Sequence, residues 1–398
     1  MKILMLTPYL PYPPHSGGQT RSFNLIKQLG LKHKITLFSF IREENEKRYQ
    51  KNLTPYCEKV RLFKRRKAWS LFNIFLAGFS FYPFLVSIYR SREVQKAIAQ
   101  ALKEDNYDLI HVETFYLMPN LPQTETPILL VDQTIEYQVY QHFVESLPKI
   151  MFFIKPFFWI DVAKLKFWET HYWKKANMMV AVSQEDKRLM QSFIKDLPVK
   201  IVPNGVDEKY FGKKVSRKAK KPTILFGIAN FKWMQNKEGA KILIDRVWPS
   251  IKKQIPEAKL WIIGRHAPEF LSWLKPNDIL VQEAKEPRRI YQQAWVLAAP
   301  MRSGGGSRTK FFEAMASGLP IVTTPQGIEG IEAKEEREIF VSNDLQELAK
   351  KAIRLLEDRD LAERVGIRAR ELVKKRYSWD KSAQELDRVY QEVGGKKT

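Results

Sequence analysis

Cysteine is nearly absent. Cys57 is the one sulfhydryl among 398 residues, so no internal disulfide can form and the chain suits a reducing, cytoplasmic compartment. The first residues do not read as a signal peptide either. In MKILMLTPYLPYPP the apolar run is about six residues and ends in prolines, short of the roughly 7–15 of a secretory core, and it reads better as a first buried strand. Acidic residues are scarce beside basic ones: 44 against 67, a formal charge of +23. No nucleic-acid-binding module is recognisable and the basic residues are spread along the chain, so nucleic acid is not an expected partner. The charge suits phosphorylated small molecules and an anionic membrane surface, or plain solubility. Long apolar runs are missing with one exception. Residues 69–89, WSLFNIFLAGFSFYPFLVSIY, carry no charge and are flanked by KRRK and RSR. That length can cross a bilayer, but Asn73, three serines and Pro83 favour a buried or interfacial aromatic segment.

What is present is an alternation of short apolar runs and helical patterns, the signature of parallel βαβ units. Strands are expected at Lys2–Thr7, Lys34–Phe40, Tyr107–Val112, Pro127–Val131 and Asn177–Ser183, with helices at Gln19–Leu29, Glu93–Leu102 and 161–176. Single cores stop growing at roughly 250–300 residues, so two domains are expected. The basic stretch Lys213–Lys221, KKVSRKAKK, reads as the linker between them. A second α/β series follows, with strands at Thr223–Gly227, Ala258–Gly264, Trp295–Pro300 and Ile321–Thr324 and helices at Lys237–Lys253, Arg288–Ala294, Asn343–Glu357 and Leu361–Arg376. Ser378 is placed to cap a last helix with Trp379, Ala383, Leu386, Tyr390 and Val393 on one face. The expected domains are 1–212, the linker 213–221, 222–377, and a C-terminal helix 378–398 returning to the first domain. Both are expected to be doubly wound parallel sheets that bind ligands at the carboxyl ends of their strands, in the crevice between domains.

Residues 298–320, AAPMRSGGGSRTKFFEAMASGLP, carry the strongest chemical signal. An apolar strand opens into Gly304, Gly305 and Gly306, which let backbone approach a ligand closely. Ser307 can cap the helix that follows, and Gly318 and Pro320 close it. A strand, a glycine loop and a helix N-terminus make an anion site.

In this order and spacing the fragments resemble the GT-B glycosyltransferases, specifically the retaining nucleotide-sugar-dependent group called family 4. The resemblance is carried by KILMLTPYLPYPPHSGGQTRSFNLIKQL, YDLIHVE, VAVSQEDKRLM and KIVPNGVD in the first half. In the second it is carried by ILFGIANFKWMQNKEG, KLWIIGR, APMRSGGGSRTKFFEAMASGLPIVTTPQGIEGI and KKRYSW. It implies two Rossmann-like domains facing across a cleft. A UDP- or GDP-sugar is held mainly by the second, and an acceptor hydroxyl of a saccharide or lipid-linked glycan mainly by the first. It implies no cofactor and no required metal, so positive side chains and helix dipoles must stabilise the departing diphosphate.

Through the resemblance, Glu313 is the last glutamate of the family's EX7E motif and binds the donor ribose. The bland alternative is pairing with Lys310 at i, i+3. The first motif glutamate is replaced by Gly305. Arg308 falls, at about 100° per residue, amid Phe311, Phe312 and Met315, where a cation cannot enter a dry core unpaired; it is assigned to the donor phosphates, or to a salt bridge with a neighbouring loop. Lys310 lies on the other side, open to donor or solvent. Gly17, Gly18 and Gly227 are placed against the donor, with Arg265 or one of Lys232 and Lys237 on the diphosphate; Asn236 stands close to where relatives carry a lysine. The reactive candidates of the first domain are His111, Glu113, Gln133 and Glu136. Gln133 occupies the place of a family histidine, and glutamine can hydrogen-bond a hydroxyl but cannot act as a base. His111 is either at the cleft or a satisfied core residue.

The stretch 147–176, LPKIMFFIKPFFWIDVAKLKFWETHYWKKA, mixes aromatics with lysines, as an interfacial segment or a core helix does. If interfacial, the protein sits peripherally at the inner membrane face and its acceptor is lipid-linked or a growing cell-surface polysaccharide. Two rival readings are a non-catalytic GT-B protein binding nucleotide or glycan as a partner subunit, and a sugar-nucleotide epimerase. EAMASGLP and PNGVD argue against the epimerase.

Overall fold

Apolar runs as short as LIHVE and ILLV are buried on both faces only in a parallel sheet covered by helices, and each strand pairing in the structure is parallel. The structure is a computed structural model that describes residues 1–148, 152–274, 277–302 and 309–395. It divides into two units. The first holds Met1–Pro203 and the C-terminal stretch from Ser382; the second lies between Asn204 and Lys381.

In the first unit, strands β1 (Lys2–Thr7), β2 (Lys34–Ile41), β3 (Lys59–Lys64), β4 (Leu109–Glu113), β5 (Ile128–Val131), β6 (Met178–Ala181) and β7 (Val199–Ile201) form one sheet in the order β3-β2-β1-β4-β5-β6-β7. In the second unit, β8 (Thr223–Asn230), β9 (Lys259–Arg265), β10 (Ile279–Gln282), β11 (Val296–Ala299), β12 (Ile321–Thr323) and β13 (Phe340–Val341) are ordered β10-β9-β8-β11-β12-β13. Strand order reverses at β1/β4 and at β8/β11. Loops leaving the carboxyl ends there diverge to opposite faces and open a crevice. The glycines Gly17 and Gly18 follow β1, and the bulge at Gly227 lies in β8.

The sequence reading omits β3, β7, β10 and β13. All four are edge strands, partly exposed, and their polar alternation or shortness leaves no apolar run to read. The expected single helix Lys237–Lys253 is Met234–Ile242, a π turn at Leu243–Val247 and Trp248–Gln254. Pro249 supplies no N–H and its ring presses on the preceding turn, which widens the helix there.

The sequence reading against a membrane span holds, and the expected linker is corrected. Residues 69–89 do not make one span: Pro83 separates helix Leu71–Phe79 from helix Phe84–Tyr89, and among the described residues no helix is long and apolar enough to cross a membrane. Buried Asn73 joins the two pieces by accepting from Ser87 Oγ at 3.0 Å. The basic stretch 213–221 lies within the second unit instead of between the units. The N–H groups of Val215 and Ser216 donate to Gln292 Oε1 at 2.8 and 3.1 Å, and Lys218 Nζ donates to the Ala294 carbonyl at 2.5 Å. Burial there pulls the Lys218 ammonium down to about 8.

The close approach of β8 and β9 depends on Gly264, with φ +155°, where a Cβ would stand 1.9 Å from the Ala229 carbonyl oxygen. Gly264→Ala is expected to destabilise the second unit by roughly 1–3 kcal/mol, the usual cost of overpacking, read as a lower urea midpoint. Gly78→Ala, with nothing within 4 Å of its new methyl, should leave the midpoint unchanged or raise it, since alanine is the better helix former.

Candidate functional site

The second unit's site begins at a bulge. The β8/β9 register shifts between Leu225 and Ile228, and bulges re-aim side chains beside sites. Gly227 sits in the shift with φ +104°, and a Cβ there would come within 3.2 Å of Leu297 Cδ1 and 3.3 Å of Lys310 Cδ. The vacant space is filled by the stem of Lys310, from helix Thr309–Ala316. Lys310 is 9% exposed, which corrects the solvated alternative. Its ammonium donates to Asn236 Oδ1 at 2.8 Å and lies 4.3 Å from the centre of the Phe226 ring, with Met301 Sδ 3.8 Å away. Asn236 Nδ2 in turn donates to the Asn230 carbonyl at 2.9 Å. Asn236 and the Phe226 ring thus hold the ammonium at the carboxyl end of β8.

Glu313 lies one turn further along the same helix, half-buried. No ion pair joins it to Lys310. Instead Tyr291 Oη donates to Glu313 Oε2 at 2.9 Å and accepts the Ile228 N–H at 3.3 Å. Tyr291 therefore ties the carboxylate to the bulge. Among the described residues no hydrogen bond reaches Oε1. Burial pushes the carboxyl up to about 7, against a smaller opposing effect of the Tyr291 hydrogen bond.

Three further basic residues stand at the same end of the sheet. Arg265 closes β9 and is exposed. Lys232 is exposed on the turn after β8, where its N–H donates to Asn230 Oδ1 at 3.0 Å. Lys237 Nζ lies 5.4 Å from the centre of the Phe270 ring. Past β11, exposed Arg302 borders a recess lined also by Thr324, Gln326 and Asn343. Arg302 was not singled out from sequence, although it directly follows the strand at the switch point. The expected site residues Gly304, Gly305, Gly306, Ser307 and Arg308 lie outside the described residues.

In the first unit, the structure gathers His111, Glu113, Gln133 and Gly18. Ser16 Oγ caps helix Gly17–Leu29, accepting the Gln19 N–H at 3.4 Å, so Gly17 and Gly18 form its first turn. A Cβ on Gly18 would stand 2.2 Å from Tyr9 Oη and 3.1 Å from Gln133 Oε1. Gln133 Nε2 donates to Glu113 Oε2 and, at 3.3 Å, to Tyr9 Oη. Glu113 has no exposed surface. Burial alone would push its carboxyl up, but His111, Arg21 and Gln133 together hold it below the usual carboxylate range. It is an ionised group in the interior, kept so by its neighbours.

His111 is also wholly buried, with Nδ1 2.5 Å from Tyr390 Oη and Nε2 3.2 Å from Glu113 Oε1. The choice left open by sequence falls to the core: in this arrangement His111 touches no solvent, and its place is to position Glu113. Arg21, fully buried, donates to the carbonyls of Val202 and Pro203 at 2.9 and 3.0 Å. Thr114, just past β4, is held at φ +80°, a strained backbone of the kind that clusters at sites.

Glu136 is half-buried and opens helix Glu136–Ser146. Burial, with Asp132 nearby, pushes its carboxyl up to about 8, so near neutrality it carries a proton and can donate. The N–H groups of Glu136 and Tyr137 donate to the buried Glu169 carboxylate at 2.8 and 3.0 Å, and Trp173 Nε1 donates to Asp132 Oδ2 at 2.6 Å. Tyr9, Arg21, Tyr291, Tyr390 and Glu169 were not legible as site residues. Each occupies an ordinary helix or loop position whose partners are distant in sequence.

Residues 15–210 match the family model Glycosyltransferase Family 4, and residues 221–358 match the model Glycosyl transferases group 1. The chain is 22% identical over 366 residues to an uncharacterized 44.6 kDa protein in the cps region of Klebsiella pneumoniae, covering 86% of this chain and 88% of that one. It is 23% identical over 239 residues to an uncharacterized glycosyltransferase of Methanocaldococcus jannaschii, covering 55% of this chain and 59% of that one. Among solved structures it resembles a glycosyltransferase from Rickettsia africae, with a TM-score of 0.68, 15% identity and coverage of 100% and 99%. It also resembles Anabaena HepE in complex with UDP and glucose, with a TM-score of 0.68, 13% identity and coverage of 99% and 100%. With its two halves matched in chain order and its fold shared across the full length, the chain belongs to the family 4, group 1 glycosyltransferases of the GT-B fold.

Proposed function

We propose that the protein transfers a sugar from a UDP-sugar to a hydroxyl of a saccharide or lipid-linked glycan, with retention of configuration and without a required metal. The observation that carries this reading is the paired placement of Lys310 and Glu313 on one helix at the β8/β11 switch point: a clamped cation for the diphosphate, and a tethered carboxylate with one oxygen left over for the ribose. UDP is favoured over GDP because HepE and Staphylococcus aureus TarM, two structural neighbours, were solved with UDP. In this reading Arg265 and Lys232 add to the field that stabilises the leaving diphosphate. The glycines at 17 and 18 open the first unit's helix N-terminus to a ligand. Gln133 binds an acceptor hydroxyl, held in register by Glu113 and Tyr9, and Glu136 donates to a second acceptor oxygen.

The bond between the anomeric carbon and the β-phosphate oxygen breaks, and the acceptor oxygen joins that carbon on the same face. The acceptor proton passes to the departing phosphate, so no strong protein base is needed, consistent with glutamine at 133 and a buried His111. Two finer features belong to the same proposal. The acceptor is a lipid-linked precursor of a cell-surface polysaccharide, and the protein works peripherally at an anionic membrane face.

Glu313→Ala should weaken UDP binding about tenfold or more by isothermal titration and lower turnover in parallel. Unchanged affinity and turnover would sink the ribose assignment. Lys310→Met keeps the stem beside Gly227 and removes the charge. It should cost more in turnover than in substrate KM, because the diphosphate gains charge in the transition state, whereas Gln133→Ala should act mainly on the acceptor KM. Chelation with EDTA should leave turnover intact.

Glu313 also predicts a pH effect in the ligand-free protein. Its folded carboxyl sits near 7, against 4.5 for the ordinary group. Below 4.5 both states are protonated and the burial costs nothing; between 4.5 and 7 the unfolded state ionises first and stability falls; above 7 the cost is complete. Glu313→Gln, neutral throughout, should therefore stabilise the second unit by about 1–3 kcal/mol above the folded pKa, with the gain fading as pH is lowered. Equal melting shifts at alkaline and mildly acidic pH would contradict this.

A further inference from the structure

Two aromatic segments distant in sequence share one surface of the first unit. Helix Leu71–Phe79 ends against helix Lys155–Trp173, where Lys164 Nζ donates to the carbonyls of Ala77 and Ser80 at 3.0 and 2.8 Å. Trp168 Nε1 donates to the Phe81 carbonyl at 2.7 Å, and the Tyr82 ring stacks on Trp168 with centroids 4.6 Å apart. At about 100° per residue, Phe157, Ile160, Lys164 and Phe167 fall within about 80° of arc, so the junction lies within the apolar stripe of the longer helix. Around it Leu71 is 87% exposed, Phe79 82%, Phe81 88%, Phe157 73% and Phe167 62%. Surfaces of this kind mark binding sites.

The charge around this surface has one sign. No acidic residue occurs between Lys64 and Arg90, and from Lys155 to Lys175 there are two, Asp161 and Glu169. Both are turned inward. Asp161 accepts the Phe84 N–H at 2.8 Å, and Glu169 is wholly buried on the N–H groups of Glu136 and Tyr137. Lys67, Lys174 and Lys175 are exposed, the last two just past the helix end at angles that continue its apolar stripe.

We infer that this two-helix aromatic surface is where the protein lies on an anionic lipid bilayer, with the phenyl rings at the boundary of headgroups and acyl chains and the lysines on headgroup phosphates. A second copy of the chain is a poorer occupant, because two such faces would oppose lysine with lysine. The inference rests on the reading of the acceptor as lipid-linked, and it names the surface that reading leaves unspecified. It also has a consequence for the acceptor loop. The inward face of helix Lys155–Trp173 carries Glu169, which holds the N-terminus of helix Glu136–Ser146, and Trp173, which holds Asp132. The membrane-facing helix and the loop bearing Gln133 therefore form one body.

The test is co-sedimentation of the full chain with phosphatidylcholine vesicles, alone or with phosphatidylglycerol added. UDP binding is titrated separately without vesicles, so that it reports on the transferase reading by itself. The wild type should sediment with the anionic vesicles, and less so in high salt. Phe81→Ser/Phe157→Ser should weaken that binding about tenfold or more with UDP affinity unchanged. Lys174→Glu/Lys175→Glu, which leaves the rings in place, should abolish the preference for phosphatidylglycerol, and it serves as the readout should the double serine variant lose UDP binding through misfolding. Three results would overturn the inference: no sedimentation with either vesicle, sedimentation undiminished in both variants, or a dimer by light scattering that the serine variant dissociates while vesicles bind neither protein.

Discussion

Gly227 leaves room beside the end of β8 for the stem of Lys310, and the second unit's site depends on that contact. A side chain at 227 would meet Leu297 and Lys310 together, and its positive φ would be strained besides. With the space open, helix Thr309–Ala316 lies against the bulge, the ammonium reaches Asn236, and Glu313 comes within reach of Tyr291. The bulge that Gly227 makes possible also frees the Ile228 N–H to bind Tyr291 Oη. One missing Cβ thus sets the places of a cation and a carboxylate that differ by three positions in sequence yet belong to separate hydrogen-bonded chains.

Both units hold ionisable groups in the interior. In the second unit the cation is clamped by an amide and an aromatic face, and the carboxyl is raised by burial. In the first unit the buried Glu113 stays ionised because His111, Arg21 and Gln133 outweigh its desolvation. These arrangements cost stability and are worth keeping where a ligand completes them. Half-buried Glu136, whose carboxyl burial pushes up, extends the pattern: its helix is capped by Glu169 from a neighbouring helix, in place of a residue of its own loop.

Helix Lys155–Trp173 shows how one element serves two environments. Its inward face supplies Leu165, Glu169 and Trp173 to the core and to the loop bearing Gln133. Its outward face is aromatic and, with the residues after Leu71–Phe79, forms the apolar surface described above. Since apolar residues occur on both faces, the helix has almost no amphipathic contrast, which is why its sequence is as compatible with core packing as with an interface. The positions of its two acidic residues distinguish the faces, and those positions depend on contacts with Phe84, Glu136 and Tyr137.

Much of the architecture was readable from the chain alone. Alternating apolar runs and helical periods identify two parallel α/β units because buried strands must be apolar on both faces. The ordered fragments from the glycine pair through EAMASGLP identify the family. Glu313 and Gly227 stand inside recognisable fragments, and Gln133 stands where relatives carry a histidine. What sequence could not supply were the edge strands, whose half-exposed residues alternate without a signal, and the environment of single charges. Lys310 reads as a surface lysine until Gly227, Asn236 and Phe226 are brought around it. His111 reads equally as a cleft or core residue until Tyr390 arrives from 279 positions away. KKVSRKAKK reads as a linker until Gln292 and Ala294 take its polar groups. Local pattern determines which segments are strands and helices, because periodicity is a property of neighbours along the chain. Burial, hydrogen-bond partners and proton affinity are set by groups far apart in sequence, and tertiary structure alone decides them.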